Sequence, residues 1–233
     1  MLAPFSFLRM TGMKLLIGNR NYSSWSLRAW LALRAFDVPF DDEVLQLGGE
    51  GYRTVLAERS PSGRVPVLID ADLVVPETLA IIEYVAELHP DRAIWPADRR
   101  QRAQARAVSA EMHAGFATLR WHAPMNLRAD YPGRVDPDAV AGDLKRIETI
   151  WGDLLTASGG PYLFGSFCAA DAMFAPVATR IRTYDLPVSD TSARYVEAIY
   201  ALPAFQEWLV AAIKEPWILE EEELPPRGDG AAA

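Results

Sequence analysis

The chain changes character once, across "HPDRAIWPADRR" at 89–100, and that break limits its fold more than any other feature. Before it, short apolar runs alternate with helical ones. "KLLIGN", "FDDEVLQL", "VPVLID" and "LVVPE" read as strands, while "SWSLRAWLALRAF", "GYRTVLAERS" and "TLAIIEYVAEL" read as helices. After it the strand signals stop, and five segments from "RRQRAQARAVSAEMHAGFATLRW" to "PAFQEWLVAAIK" carry only helical periodicity. Pro90 and Pro96 make the junction a natural linker. The pattern predicts a small α/β domain over 13–89 and an all-α domain over 98–219. The ends, 1–12 and 220–233, are expected to be flexible, the second because "EEEELPPRGDGAAA" is acidic and then rich in Pro, Gly and Ala.

Charge and composition remove several functions. A net charge of -8 with no compensating basic run argues against nucleic acid as a partner. No apolar run approaches the roughly 20 residues of a membrane helix, and "MLAPFSFLRMTG", with one basic residue and no small-residue cleavage pattern, does not read as a signal peptide. A single cysteine, Cys168, excludes an internal disulfide and suits a reducing cytoplasm. With only three histidines as well, no metal site is expected.

Three stretches in the first domain place polar groups where a strand hands over to a helix. In "NRNYSSWSLRAW", with the helix starting near Trp25, Ser23 and Ser24 fall in its cap region, where unpaired N–H groups and the positive end of the dipole favour an anion. Either serine also suits a plain N-cap. In "GRVPVL", Pro66 cannot donate to a ladder and so belongs at a strand's first residue or edge. A cis Val65–Pro66 bond, the state of about 5–6% of X-Pro bonds, would leave the Val65 N–H and C=O free to pair with an extended peptide. In "VPETLAI", Thr78 suits a cap with Glu77 at the helix's positive end, where a ligand carboxylate could also be held.

A β-α-β-α-β-β-α unit carrying these three features in this order, followed by an all-helical domain, resembles the cytosolic glutathione transferases. The resemblance spans Met13 to about Leu219 and includes a fourth feature. "GSFCAADAMFAP" matches the Ser/Thr-x-x-Asp box that caps a buried helix in that family, with Asp171 at the acid and Cys168 at the hydroxyl position. "YSSWSLRAWLALRAF" looks most like the serine-type enzymes, above all the zeta class of maleylacetoacetate isomerases, whose signature is Ser-Ser-Cys-Ser, and related bacterial transferases. The implied fold is a thioredoxin-like domain, a mixed four-stranded sheet with three helices, plus an all-α domain. The implied reaction is conjugation of glutathione, held as co-substrate, to a small electrophile in a cytoplasmic homodimer. Glutathione-dependent isomerisation, peroxidase activity and a noncatalytic binding role are the alternatives.

The resemblance also implies roles. Ser23 matches the serine whose hydroxyl stabilises the glutathione thiolate, with Ser24 as its competitor. Val65 and Pro66 match the main-chain site for the cysteinyl unit, Glu77 and Thr78 the γ-glutamyl site, and Arg64 is a candidate for the glycyl carboxylate. Trp25 stands where the zeta signature has cysteine, which lowers the expectation of isomerase chemistry. Trp25, His113, Arg120 and Trp121 are candidates for the second-substrate pocket, and Cys168 is expected to be structural, not nucleophilic.

Overall fold

The computed structural model describes residues 12–224. Its first domain runs β1 (Met13–Ile17), α1 (Ser24–Arg34), β2 (Phe40–Val44), α2 (Tyr52–Arg59), β3 (Val67–Asp70), β4 (Leu73–Pro76) and α3 (Thr78–Leu88). The sheet order is β2-β1-β3-β4, with β1 parallel to β2 and antiparallel to β3, and β3 antiparallel to β4. This is the mixed four-stranded, thioredoxin-like sheet that the resemblance implies. Leu15, Leu16, Ile17, Val67 and Leu68 are fully buried, so the two central strands read as continuous apolar runs.

The second domain comprises α4 (Arg99–Ala114), α5 (Ala117–His122), α6 (Pro137–Ser158), α7 (Ala169–Tyr184), α8 (Asp190–Ala201) and α9 (Pro203–Lys214). The segment read as one helix up to Trp121 is two. Gly115 closes α4 by donating its N–H to the Glu111 carbonyl at 2.8 Å, a Cβ there would stand 2.9 Å from that same oxygen, and Phe116 then turns left-handed at φ 57°. The break redirects the chain so that α5 caps the cleft between the domains.

The domains are joined through α1 and α7. Helix α1 buries Leu27, Trp30 and Leu31 and packs on both α3 and α7. Helix α7 is buried along nearly its whole length and starts at the predicted box. Asp171, fully buried, accepts from the N–H groups of Cys168 at 2.9 Å and Leu163 at 3.0 Å and from the Tyr195 hydroxyl at 2.9 Å. Burial pushes its carboxyl up to about 6 and the Cys168 thiol far up, so Cys168 is a buried cap residue and not a thiolate.

The acidic segment expected to fray is in part ordered. Residues 220–222 form a 3-10 turn, and Glu223 accepts from the hydroxyls of Tyr22 and, at 2.8 Å, Tyr131. Arg128 fixes the approach to this turn by donating to the carbonyls of Glu215 at 2.6 Å and Trp217 at 2.8 Å. Polar groups on the body hold what composition alone reads as solvated chain.

Candidate active site

Two adjoining lobes of a cleft, each of about 460 Å³, lie between the domains and share Trp25, Arg64, Val65 and Arg120. The first is built where β1 ends. Gly18 lets the chain pass close there: a Cβ would come within 2.7 Å of the Leu47 side chain and 3.1 Å of Val65, so those side chains would have to shift. The turn that follows is tied by the Ser23 N–H to the Asn19 carbonyl at 2.8 Å, and by the Leu47 N–H to the Asn19 side chain at 2.7 Å. Ser23 and Ser24 thus arrive at the positive end of α1 inside the cleft.

The two serines differ. Ser23 is the N-cap of α1: its hydroxyl accepts the Ser26 N–H at 3.4 Å and donates to the Ser26 hydroxyl at 2.7 Å, which also accepts the Gly18 N–H at 3.0 Å. Ser24 is the first helical residue, and its hydroxyl has no partner among the described residues. The cap role open to either serine is therefore taken by Ser23, whose side chain folds back over the first turn.

The second lobe holds Val65, Pro66, Glu77, Thr78 and His113. The Val65–Pro66 bond is cis, as expected, and Val65 lies outside the paired register of β3. The loop before it is pinned by Ser60, whose hydroxyl donates to the Arg64 carbonyl at 2.7 Å and accepts the Arg64 N–H at 3.1 Å. At the start of α3 the cap falls one residue earlier than expected. Glu77, at φ 81°, accepts from the N–H groups of Leu79 at 3.0 Å and Ala80 at 3.2 Å, while the Thr78 hydroxyl donates across the cleft floor to the Trp25 carbonyl at 3.1 Å. A non-glycine residue at positive φ costs about 1–3 kcal/mol. The other Glu77 oxygen is 3.3 Å from Nδ1 of His113 on α4.

Trp25 divides the lobes. Its indole is flanked by the guanidinium groups of Arg28 at 4.4 Å and Arg120 at 5.5 Å and meets His113 edge-on at 5.0 Å. Arg64 and Arg120 line both lobes, whereas Trp121, expected in the pocket, is 83% exposed and lines neither. On the short helix α5, successive residues face different ways, and Arg120 takes the inner side.

Sequence reasoning missed Arg28, Arg180 and Glu222. Arg28 is fully buried; its Nε donates to the Met173 carbonyl at 2.8 Å and both terminal nitrogens lack partners. Arg180, on α7, lines the serine lobe; burial, then the Arg120 charge, pulls it down to about 10. Glu222 lines the same lobe, and burial pushes its carboxyl up. Among the described residues no cluster of His, Cys, Asp or Glu could hold a metal ion, and no single helix is long and apolar enough to cross a membrane.

Residues 22–88 match the family model described as "Glutathione S-transferase, N-terminal domain". A probable maleylacetoacetate isomerase of Caenorhabditis elegans is 31% identical over 193 residues, covering 80% of this chain and 87% of that protein. Glutathione S-transferase Z2 of Arabidopsis thaliana is 26% identical over 201 residues, covering 79% and 87%. A glutathione transferase homologue from Burkholderia, solved with bound glutathione, superposes with a TM-score of 0.66 at 26% identity over 87% of this chain and 98% of that one.

Proposed function

The chain belongs to the glutathione transferase family, a family of glutathione-dependent enzymes, and on that premise we propose that it binds glutathione along the two lobes and adds its thiolate to a small electrophile. The γ-glutamyl end lies at Glu77 and Thr78, the cysteinyl backbone pairs with Val65 beside Pro66, Arg64 takes the glycyl carboxylate, and the sulfur rests at the Ser23–Ser24 end of α1. The thiolate attacks an electrophilic carbon entering past Arg120, and the electron pair displaced at that carbon departs with a leaving group or moves onto the electrophile's own carbonyl oxygen. The observation that carries this reading is the pair of serines at a helix N-terminus inside a cleft whose far end holds Glu77 and Thr78.

A thiol of pKa near 8.5 is only a few per cent ionised at neutral pH. Lowering it by about two units takes roughly 2.7 kcal/mol. One hydrogen bond to a charged acceptor contributes about 1.5–3 kcal/mol, and the helix terminus adds about 0.3–1 kcal/mol, so serine suffices. Isomerisation is a second reading, favoured by relatives named maleylacetoacetate isomerase, while Trp25 at the cysteine position of the zeta signature weighs against it. A purely noncatalytic protein has no physical need for an unpartnered hydroxyl at the thiol position. A glutathione soak, with chlorodinitrobenzene, maleylacetoacetate and a hydroperoxide as second substrates, tests the set: sulfur away from Ser23 and Ser24 defeats the site, and turnover of maleylacetoacetate alone selects the isomerase. We further propose a cytoplasmic homodimer with its interface near Glu77–Thr78; a monomer by light scattering at micromolar concentration would refute the dimer.

A further inference from the structure

The serine lobe carries charge that the binding of glutathione leaves unused. Arg180 is 4% exposed, with Nε committed to the Ala123 carbonyl at 2.8 Å and Nη1 to the Pro176 carbonyl at 3.1 Å; its Nη2 donates to no described residue. Arg120 adds a second guanidinium to the same lobe. Among the described residues neither is ion-paired to a carboxylate. Facing the same space, Glu222 feels the Arg180 charge without pairing to it, and its carboxylate accepts no hydrogen bond from a described residue. The turn that carries it is anchored on one side by Leu219, which lines the lobe, and on the other by Glu223, bonded to Tyr22 and Tyr131. A carboxyl and two guanidinium groups thus line the same lobe as Ser23 and Ser24.

We propose that Glu222 is a catalytic proton donor for thiolate addition to alkenes conjugated to a carbonyl, with Arg180 and Arg120 holding the enolate oxygen. The inference rests on the glutathione reading above and narrows its second substrate. In the step, the sulfur–carbon bond forms at the β-carbon, the alkene π pair shifts, and the carbonyl π pair moves onto oxygen, where the guanidinium groups stabilise it. The enolate then collapses, and its α-carbon takes the proton from the Glu222 carboxyl. The carboxylate left behind is reprotonated by water, and the product is the saturated thioether. Burial supports the acid role by raising Glu222, against the opposing Arg180 charge and with the Glu221 charge in favour. Displacement of halide from an aryl chloride needs no such proton.

Glu222→Gln and Glu222→Asp are compared with wild type at saturating glutathione, using benzylideneacetone for addition and chlorodinitrobenzene for substitution. Positioned acid catalysis is worth at least about 100-fold, so Glu222→Gln should lose about that much in kcat/KM for addition. Substitution should fall far less than addition, glutathione affinity and melting temperature should stay near wild type, and Glu222→Asp should recover part of the addition rate. An equal fall in both reactions would make Glu222 only a wall of the cleft, and an unchanged addition rate would remove it altogether. Wild type that binds glutathione yet turns over only the aryl chloride also overturns the proposal. Wild type that binds no glutathione overturns instead the reading beneath it.

Discussion

Ser23→Ala and Ser24→Ala should separate stability from chemistry, because the two hydroxyls begin from different states. The Ser24 hydroxyl has no partner among the described residues, so its full hydrogen bond to a bound thiolate, about 1.5–3 kcal/mol, is gained on binding. At 1.36 kcal/mol per pKa unit, Ser24→Ala should raise the bound thiol's pKa by about 1–2 units. Below that pKa, turnover should fall about 10- to 100-fold with little change in melting temperature. Ser23 must first release the Ser26 hydroxyl, 2.7 Å away, a neutral bond worth about 0.5–1.5 kcal/mol. Its net contribution to the thiolate is then about 1–1.5 kcal/mol, or near one unit. Ser23→Ala also loses the cap of α1, about 1 kcal/mol, which lowers the melting temperature by about 2–4 °C in a chain of this size. Ultraviolet absorbance of the bound thiolate across pH, in wild type and both variants, measures the shifts directly. A larger shift in Ser23→Ala than in Ser24→Ala would return the thiolate to Ser23 and refute the ranking. Titrations that move in neither variant would end the serine mechanism.

Glu77→Ala should raise the glutathione KM about tenfold or more, from loss of a charge-assisted bond of about 1.5–3 kcal/mol, and should cost about 1 kcal/mol of stability as the α3 cap is lost; an unchanged KM would move the γ-glutamyl end elsewhere. Cys168→Ser should hold or slightly raise the melting temperature with activity intact, since a hydroxyl is the better partner for the N–H that the sulfur meets in the box; lost turnover in a folded variant would show that the thiol does chemistry. Asp171, pushed up to about 6 by burial, titrates above its ordinary value of 3.8. Its contribution is therefore fully present below about pH 4 and lost as pH rises through about 6, by on the order of 3 kcal/mol. Asp171→Asn removes that decline, so its stability deficit against wild type should shrink between pH 4 and pH 7, and a constant or growing deficit in urea unfolding would contradict the assignment.

What could be read from the sequence was set by how far each signal acts along the chain. The strands, the change at 89–100 and the box at Cys168–Asp171 are local patterns, and the structure keeps them. Gly115 was as plain a helix stop as the sequence contains, yet flanking helical periodicity on both sides masked it. Arg28 and Arg180 were illegible for a different reason: helical spacing puts an arginine among apolar residues on the wet face by default, and only the packing of α1 on α7 turns them inward. Glu222 sits in an acidic run that reads as solvated chain until Tyr22, Tyr131 and Arg128, each far off in sequence, hold it.

The two caps, Ser23 and Glu77, have the most consequence for the site. Because Ser23 and Glu77 spend their side chains on the first turns of α1 and α3, the residues after them face the cleft: Ser24 with a hydroxyl that has no partner among the described residues, and Thr78 with a hydroxyl given to the Trp25 carbonyl at 3.1 Å. That bond ties the first turn of α3 to the first turn of α1, one residue beyond Ser24. The positive ends of two helices are thereby locked together, one at the proposed γ-glutamyl end and one at the proposed sulfur. Thr78→Val, which keeps the shape and removes the tie, should therefore disturb both ends at once, raising the glutathione KM and the bound thiol's pKa together. A change in KM alone would show that the two helix ends act independently.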